Sequence, residues 1–209
     1  MKIQSRIYAA VDLDAVLYNL ESMKKNIHRD TKIIAVLKAD GYGHGAVPLA
    51  REIAPLSYIW GIAVATVEEG MELRRAGISK PILILGYTYE EDYETIVRED
   101  FRPAVFKISM ANRLSEEAVK AGKTIKIHIK VDTGMTRIGY RDIKKDVPEI
   151  LAISNLPGVE IEGIFTHFAR ADETDTAPAY TQLNKYLEFL RELEKMGLSI
   201  PVKHCSNSA

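Results

Sequence analysis

A lysine followed directly by a glycine-rich segment is the first feature of the sequence that could carry chemistry. It is Lys38, in Ala35-Val-Leu-Lys-Ala-Asp-Gly-Tyr-Gly-His-Gly45. A partly buried lysine amine is a nucleophile toward carbonyl carbons, which is what a Schiff base requires. The glycines allow tight backbone turns close to a ligand. A lysine that merely extends from a strand end into solvent is the commoner case, so both interpretations stay open on position alone.

Charged side chains also occupy one face of a predicted strand in the middle of the chain. In this strand, apolar residues alternate with Lys126, His128, Lys130 and Asp132. If the strand belongs to a parallel barrel, neither of its faces meets bulk water, so these charges must be paired or must bind something. Arg137 lies just past the strand and has the fork geometry that holds a carboxylate bidentately. A half-exposed antiparallel strand and a surface salt bridge are the alternatives.

Two further strand ends carry polar residues. His167 closes the sixth apolar run, and Asn207 and Ser208 follow the seventh. In (β/α)8 barrels the loops after the seventh and eighth strands often bind phosphate, but a core histidine and an ordinary polar loop are the commoner interpretations. The histidines and the single cysteine lack the close spacing of metal ligands, so we expect no metal site. The sequence contains no dinucleotide-binding, P-loop or nucleophile-elbow motif.

Short apolar runs alternate with helical stretches along the chain. Strands are predicted at Ile33–Lys38, Trp60–Ala65, Pro81–Gly86, Ala104–Ile108, Ile125–Asp132, Gly163–His167 and Pro201–Cys205. Helices are predicted at Leu13–Lys25, Val67–Ala76, Met110–Ala121 with Ser109 as N-cap, and Pro178–Met196. Asp12 is a candidate N-cap of the first helix, and glycines are expected to end the other three, namely Gly77, Gly122 and Gly197. This alternation indicates an α/β fold, and the number of units favours a (β/α)8 TIM-type barrel. Because seven strands leave a barrel edge open, we predict that the barrel is truncated after its seventh strand and that the natural polypeptide continues.

The N-terminal region differs from the rest of the chain. Residues 1–30 are predicted to form a strand, Ile7–Asp12, and a helix ahead of the barrel of residues 31–209. The net charge of -1 gives no bulk attraction to nucleic acid or to an anionic membrane. The N-terminus has no signal-peptide pattern, and no apolar run reaches about 18 residues. We therefore expect a cytoplasmic protein that does not span a membrane.

Four spaced segments together resemble one enzyme family. They are the segment from Ala35 to Gly45, Lys130-Val-Asp-Thr-Gly-Met-Thr-Arg-Ile-Gly139, Gly163-Ile-Phe-Thr-His-Phe-Ala169 and His204-Cys-Ser-Asn-Ser208. In this order they are similar to the signatures of the alanine racemases, which are pyridoxal-phosphate enzymes of fold type III. The resemblance covers almost the whole chain and implies pyridoxal 5'-phosphate as the cofactor.

The resemblance also implies a role for each matching residue that would act on the substrate. Lys38 would hold the cofactor covalently and would take the α-proton of the D-substrate. Arg137 would contact the substrate carboxylate and the phenolic oxygen of the cofactor. Lys130 matches the family lysine that is often carbamylated, and the negative charge of a carbamate would position Arg137.

The remaining matching residues would hold the cofactor itself. Tyr42, Asn207 and Ser208 would surround the phosphate, and His167 would lie in the layer beneath the pyridine ring. The sequence departs from the family at Thr136, where many relatives have glycine. This departure concerns the shape of the loop that carries the substrate-binding arginine.

As a whole, the resemblance implies a homodimeric enzyme that interconverts L- and D-alanine and supplies D-alanine for peptidoglycan. Its second base would be a tyrosine from the C-terminal β-domain of the partner subunit, and an arginine after the eighth strand would meet the pyridine nitrogen. Neither region lies within these 209 residues, so we expect the chain alone to lack racemase activity.

Three other functions are compatible with parts of this pattern. The chain could be a truncated cofactor-binding fragment without activity. It could also be a racemase of the same family that acts on serine, lysine or another amino acid. The small pyridoxal-phosphate homeostasis protein is also a barrel, but it is a poor match because the segments that begin at Lys130 and His204 follow the racemase pattern.

Overall fold

The computed structural model describes residues 7–207 of the chain. It divides into two compact units, Met1–Pro81 and Ile82–Ala209. Within each unit, strands alternate with helices and pair in parallel. The different boundary that the sequence suggested after residue 30 remains a prediction. Among the residues described, no helix is both long enough and apolar enough to cross a bilayer.

The first unit contains a pair of parallel strands. Its elements are α1 (Leu13–Lys25), β1 (Ile33–Val36), α2 (Lys38–Gly43), α3 (Ala46–Ile53), β2 (Ile59–Val64) and α4 (Val67–Arg75). In the ladder Val36 lies opposite Ala63. Side chains from β2 and the two helices that flank it form a buried core, namely Leu49, Ile53, Ile62 and Leu73.

The second unit contains five parallel strands in chain order. Its strands are β3 (Ile82–Ile84), β4 (Phe101–Val105), β5 (Ile125–Lys130), β6 (Val159–His167) and β7 (Val202–Ser206). Its helices are a 3₁₀ turn (Glu90–Asp92), α5 (Tyr93–Arg98), α6 (Ile108–Lys120), α7 (Ile143–Ser154) and α8 (Ala177–Lys195). β3, β4, β5 and β6 have buried residues on both faces, as parallel strands between helices do, whereas no residue of β7 is buried.

Several helix ends follow the sequence signals that predicted them. Asp12 caps α1, because its Oδ1 accepts a hydrogen bond from the Ala15 amide at 3.1 Å. Gly77, Gly122 and Gly197 follow α4, α6 and α8 with φ values of +86°, +63° and +86°. Glycine adopts this left-handed conformation without the steric penalty of a Cβ atom, so it ends each helix.

Two predictions near the N-terminus were wrong. Residues 7–12 do not form the predicted strand, because Ile7 and Tyr8 are 87% and 81% exposed and the apolar pattern there buries nothing. β1 ends at Val36 rather than at Lys38, because Leu37 leaves the extended region with φ −116° and ψ 21°. Lys38 therefore follows the strand and opens a turn.

Three predictions in the second unit also need correction. β6 begins at Val159, four residues before the predicted start. β4 begins at Phe101, three residues before the predicted start, because Arg102 is buried in ion pairs inside the strand. Ser109 is not the N-cap of α6, since the helix already begins at Ile108. The Ile108 amide donates to Glu149 Oε1 at 2.8 Å, so a side chain of α7 takes the place of a serine cap.

Candidate active site

The segment that follows Lys38 is a turn of left-handed helix. We refer to Lys38–Gly43 as the lysine turn. Within it Ala39, Asp40 and Tyr42 have φ values of +52°, +53° and +57°, and Gly41 has φ +61°. A left-handed conformation costs a residue with a side chain about 1–2 kcal/mol. Backbone strain of this kind persists only where the surroundings impose it, and it is concentrated at functional sites.

Contacts on both sides hold the lysine turn in this conformation. At its start the Ala39 amide donates to Glu69 Oε1 at 2.7 Å. At its end Asp40 Oδ1 accepts from the amide of Ala46, the first residue of α3, at 2.7 Å. A Cβ atom on Gly41 would come within 2.8 Å of Leu49 Cδ1, so any larger residue there would displace the leucine side chain. The turn is therefore fixed by two carboxylates and by close packing.

Lys38 itself is half-buried, and its amine lies near the ring of Tyr42. Lys38 Nζ is 5.7 Å from the ring centroid, and the tyrosine side chain is 61% exposed. Within residues 7–207, no salt bridge involves Lys38. The turn thus presents an amine and a phenol side by side, with the amine not engaged by a carboxylate.

In the second unit Lys130 ends β5 and is buried. It is 2% exposed, and its Nζ donates to the Val131 carbonyl at 2.6 Å. Burial lowers the pKa of Lys130 to about 8, although the charge of Asp132 raises it and the charges of Arg137 and Arg141 lower it further. A substantial fraction of this amine is therefore neutral near physiological pH.

Asp132 organises the loop that carries Arg137. Its Oδ1 accepts from the amides of Gly134 at 3.1 Å and Thr136 at 2.9 Å, and its Oδ2 accepts from Arg141 at 2.6 Å. Thr136 has φ +58°, a conformation that favours glycine. The physical reason for glycine at this position is therefore the backbone conformation, and the carboxylate of Asp132 holds threonine in it.

A chain of polar side chains crosses the interior of the second unit. We refer to Arg102, His128, Glu162 and His204 as the buried polar cluster. Arg102 Nε donates to Glu162 Oε2 at 3.1 Å, and His128 Nε2 lies 3.4 Å from the same oxygen. His128 Nδ1 lies 3.0 Å from His204 Nε2. A Cβ atom on Gly163 would come within 2.4 Å of the His128 ring, so glycine provides the space for this ring.

Charge and burial fix the protonation states of the cluster. Burial lowers the pKa of His128 and lowers that of His204 to about 3, so both rings are neutral at pH 7. Burial raises the pKa of Glu162, but the hydrogen bonds from His128 and Arg102 and the positive charge of Arg102 outweigh it and bring the pKa to about 2. Since Glu162 accepts from His128 Nε2, Nδ1 accepts in turn from His204 Nε2.

The other predicted site residues lie at the carboxyl ends of β6 and β7. His167 is the last residue of β6 and lies opposite Ser206 of β7, and its carbonyl accepts from Gln182 at 3.2 Å. Asn207 follows β7 directly and is half-buried. Ser208 lies outside the described residues. The parallel register thus brings His167 and Asn207 to the same edge as Lys130, where barrel enzymes build their sites.

Three residues of these sites were not singled out from the sequence as functional. Arg102 and Glu162 sit in strands where charged residues signal exposure, and nothing in the sequence shows that they meet. Glu69 stands three residues after Thr66, a spacing that signals a capping box. That signal concerns a helix end and does not reveal the bond to Ala39. Between residues 7 and 207, no group of three or more metal-ligating side chains is assembled.

Comparison with known proteins relates the chain to one family. The family described as alanine racemase, N-terminal domain, matches residues 11–209. An alanine racemase from Clostridium tetani is 43% identical over 97% of this chain and 52% of its own length. One from Methanococcus maripaludis is 42% identical over 97% of this chain and 54% of its own length. The chain thus spans about half the length of the curated relatives it matches.

Solved structures give the same result. An alanine racemase structure from Clostridium difficile has a TM-score of 0.90 at 40% identity, over 94% of this chain and 51% of that one. A histidine racemase structure from Leuconostoc mesenteroides has a TM-score of 0.84 at 26% identity, over 92% of this chain and 50% of that one. These likenesses confirm the predicted fold class, an α/β protein of the TIM-barrel type that is incomplete over these residues. The chain therefore belongs to the family of alanine racemase N-terminal domains.

Proposed function

We propose that this chain provides the pyridoxal-phosphate-binding part of a racemase that interconverts L- and D-alanine. The observation that supports the proposal most strongly is the lysine turn. It places a half-buried amine directly after the parallel strand β1, at the start of a strained backbone segment, within a sequence that matches the alanine racemase N-terminal domain. A cytoplasmic homodimer that supplies D-alanine for peptidoglycan belongs to the same proposal.

The residues present fit pyridoxal phosphate. Its aldehyde needs an unengaged amine, and Lys38 forms no salt bridge within residues 7–207. Its phosphate needs hydrogen-bond donors, which Tyr42, Asn207 and Ser208 would supply. Its ring needs a polar layer beneath it, to which His167 would contribute.

Pyridoxal phosphate, when bound, withdraws electrons from the α-carbon of an amino acid and makes its proton acidic. The chain then has to hold the substrate and move that proton. Lys38 Nζ accepts the α-proton of the D-substrate and returns it for the reverse reaction. Arg137 binds the substrate carboxylate through its guanidinium fork.

Lys130 is proposed to act through Arg137. With a pKa of about 8, part of its amine is neutral and can attack carbon dioxide. The nitrogen forms a bond to the carbon, a proton leaves, and the lysine becomes an anionic carbamate. This anion would pair with the guanidinium of Arg137 and orient it toward the substrate. The protein is incubated with bicarbonate labelled with ¹³C. A carbonyl-carbon signal that appears in the unaltered protein and is absent from Lys130→Met would detect the carbamate.

A racemase for another amino acid is the second candidate. It is favoured by the likeness to a histidine racemase at 26% identity, which shows that the fold accommodates more than one substrate class. Racemisation assays of the full-length protein with alanine, serine, lysine and histidine would separate the two.

The assay with alanine also tests the main proposal. We expect alanine to be racemised fastest, and Lys38→Ala to lower kcat by about 10³-fold or more, since a general base contributes about 10²–10⁴. Lys32→Ala replaces an exposed lysine of the same unit and should leave the rate unchanged. Unchanged kcat in Lys38→Ala would refute the proposed role of Lys38.

A further inference from the structure

The carboxylate of Glu69 joins two parts of the first unit. Its Oε1 accepts from the Ala39 amide at 2.7 Å, and its Oε2 accepts from the Ala65 amide at 2.7 Å. Oε2 also lies 3.4 Å from the amide of Thr66, whose hydroxyl accepts from the Glu69 amide in return. One side chain thus caps α4 and holds the first residue after Lys38.

Capping alone does not require this arrangement. The capping box needs one carboxylate oxygen, directed back at the N-cap amide. The second oxygen of Glu69 instead reaches 30 residues back along the chain, to a residue with φ +52°. Ala39 leaves the right-handed region at a steric cost, and a charge-assisted hydrogen bond to its amide is among the stronger bonds that could offset that cost.

We infer that Glu69 is a positioning residue for Lys38, because it locks the left-handed backbone at Ala39 and so fixes where the lysine turn begins. This inference rests on the proposed function insofar as Lys38 is the cofactor lysine. Without the lock, the turn spends time in other conformations, and the fraction of molecules with Lys38 correctly placed falls. Apparent affinity for a ligand of Lys38 falls by the same fraction.

The geometry makes glutamine a poor substitute for glutamate here. The two oxygens of Glu69 face two different N–H donors, Ala39 and Ala65. An amide group has one oxygen and one NH₂, so Glu69→Gln must set a donor against a donor on one side. Glu69→Asp keeps the charge but is one methylene too short to span both amides. Glu69→Gln therefore loses either the bond to Ala39 or the negative charge that strengthens it, and Glu69→Asp loses the reach to Ala39. Both variants should hold Ala39 more weakly, while α4 retains most of its capping interactions.

Hydrogen exchange of individual amides tests the lock without any cofactor. In Glu69→Gln and Glu69→Asp we expect the Ala39 amide to exchange about tenfold faster than in the unaltered protein, as for loss of one charge-assisted bond. Thr66→Ala removes the hydroxyl of the capping box but leaves the bond to Ala39. Glu72→Gln removes an exposed carboxylate of the same helix. In both of these controls exchange at Ala39 should be unchanged.

A second measurement links the lock to Lys38. Titration of the full-length protein with pyridoxal phosphate should give about tenfold weaker binding in Glu69→Gln, with little change in Thr66→Ala of similar thermal stability. Unchanged exchange at Ala39 in the Glu69 variants, or equally fast exchange in Thr66→Ala, would overturn the inference. Failure of the unaltered protein to bind pyridoxal phosphate would instead refute the proposed function, and the exchange data would still decide the role of Glu69.

Discussion

The lysine turn and the buried polar cluster show two different ways of holding a reactive or charged side chain. In the lysine turn the backbone is strained, while Tyr42 is exposed. In the cluster the backbone is regular strand, while His128 is completely buried and Glu162 nearly so. In the lysine turn the free-energy cost arises from unfavourable φ and ψ angles, and in the buried polar cluster it arises from desolvation. Substitutions should therefore act on the backbone in one region and on charge in the other.

The largest effect is expected from Glu162→Ala. It leaves Arg102 and His128 buried without the carboxylate that both contact, and loss of one partner of a buried ion pair costs about 3–5 kcal/mol. Glu160→Ala on the same strand removes an exposed carboxylate 3.8 Å from Lys126, and it should cost less than about 1 kcal/mol. Urea unfolding of both variants measures the difference. Equal losses would show that the cluster does not depend on its charge.

A smaller, pH-dependent effect is expected at Lys130. Its pKa is about 8 in the folded protein and ordinarily 10.5. Between pH 8 and 10.5 the unfolded chain binds more protons at Lys130 than the folded chain does. The contribution of Lys130 to the free energy of unfolding therefore increases as pH rises from about 8 to 10.5 and is lost as pH falls. Over this window the difference in unfolding free energy between the unaltered protein and Lys130→Met should change by up to about 3 kcal/mol.

This measurement needs buffers free of carbon dioxide, because a carbamate would change the titration. Lys32→Met, at an exposed position, is the matched control and should show no such slope. A difference that does not vary with pH would mean that burial does not depress the pKa of Lys130.

The smallest expected effect is the change in stability when either of two exposed alanines is replaced by glycine. Ala39→Gly relieves left-handed strain and adds freedom to the unfolded chain, so the two terms should cancel within about 0.5–1 kcal/mol. Ala152→Gly, in the right-handed α7, has no strain to relieve and should destabilise by about 0.5–1 kcal/mol. Thermal unfolding of both variants tests this. A larger loss in Ala39→Gly than in Ala152→Gly would argue against strain in the lysine turn.

The fold was largely predictable because its signals are local. Nearly continuous apolar runs predicted seven strands, and glycines after helices predicted their ends. The start of β4 was predicted three residues too late because an arginine and a proline, Arg102 and Pro103, argue against a buried strand. Only the ion pair between Arg102 and Glu162 explains the buried arginine. The number and order of strands thus follow from local pattern, while the bounds of a strand depend on partners far along the chain.

The candidate site was predictable to a lesser degree. The glycines after Lys38 pointed to unusual backbone, but Ala39, Asp40 and Tyr42 are not residues that signal left-handed φ. The bond that holds Ala39 comes from a carboxylate 30 residues away, and no local pattern reveals that contact. The roles of Lys38, Tyr42, Arg137, Lys130, His167, Asn207 and Ser208 remain predictions.

The most direct test of the central claim is chemical. The full-length protein is incubated with pyridoxal phosphate, reduced with borohydride, digested and mapped by mass spectrometry. We predict that the pyridoxyl group is found on Lys38, and that Lys38→Ala carries none. A modification confined to other lysines, such as Lys32 or Lys130, or the absence of any modification, would contradict the assignment of Lys38 as the cofactor lysine.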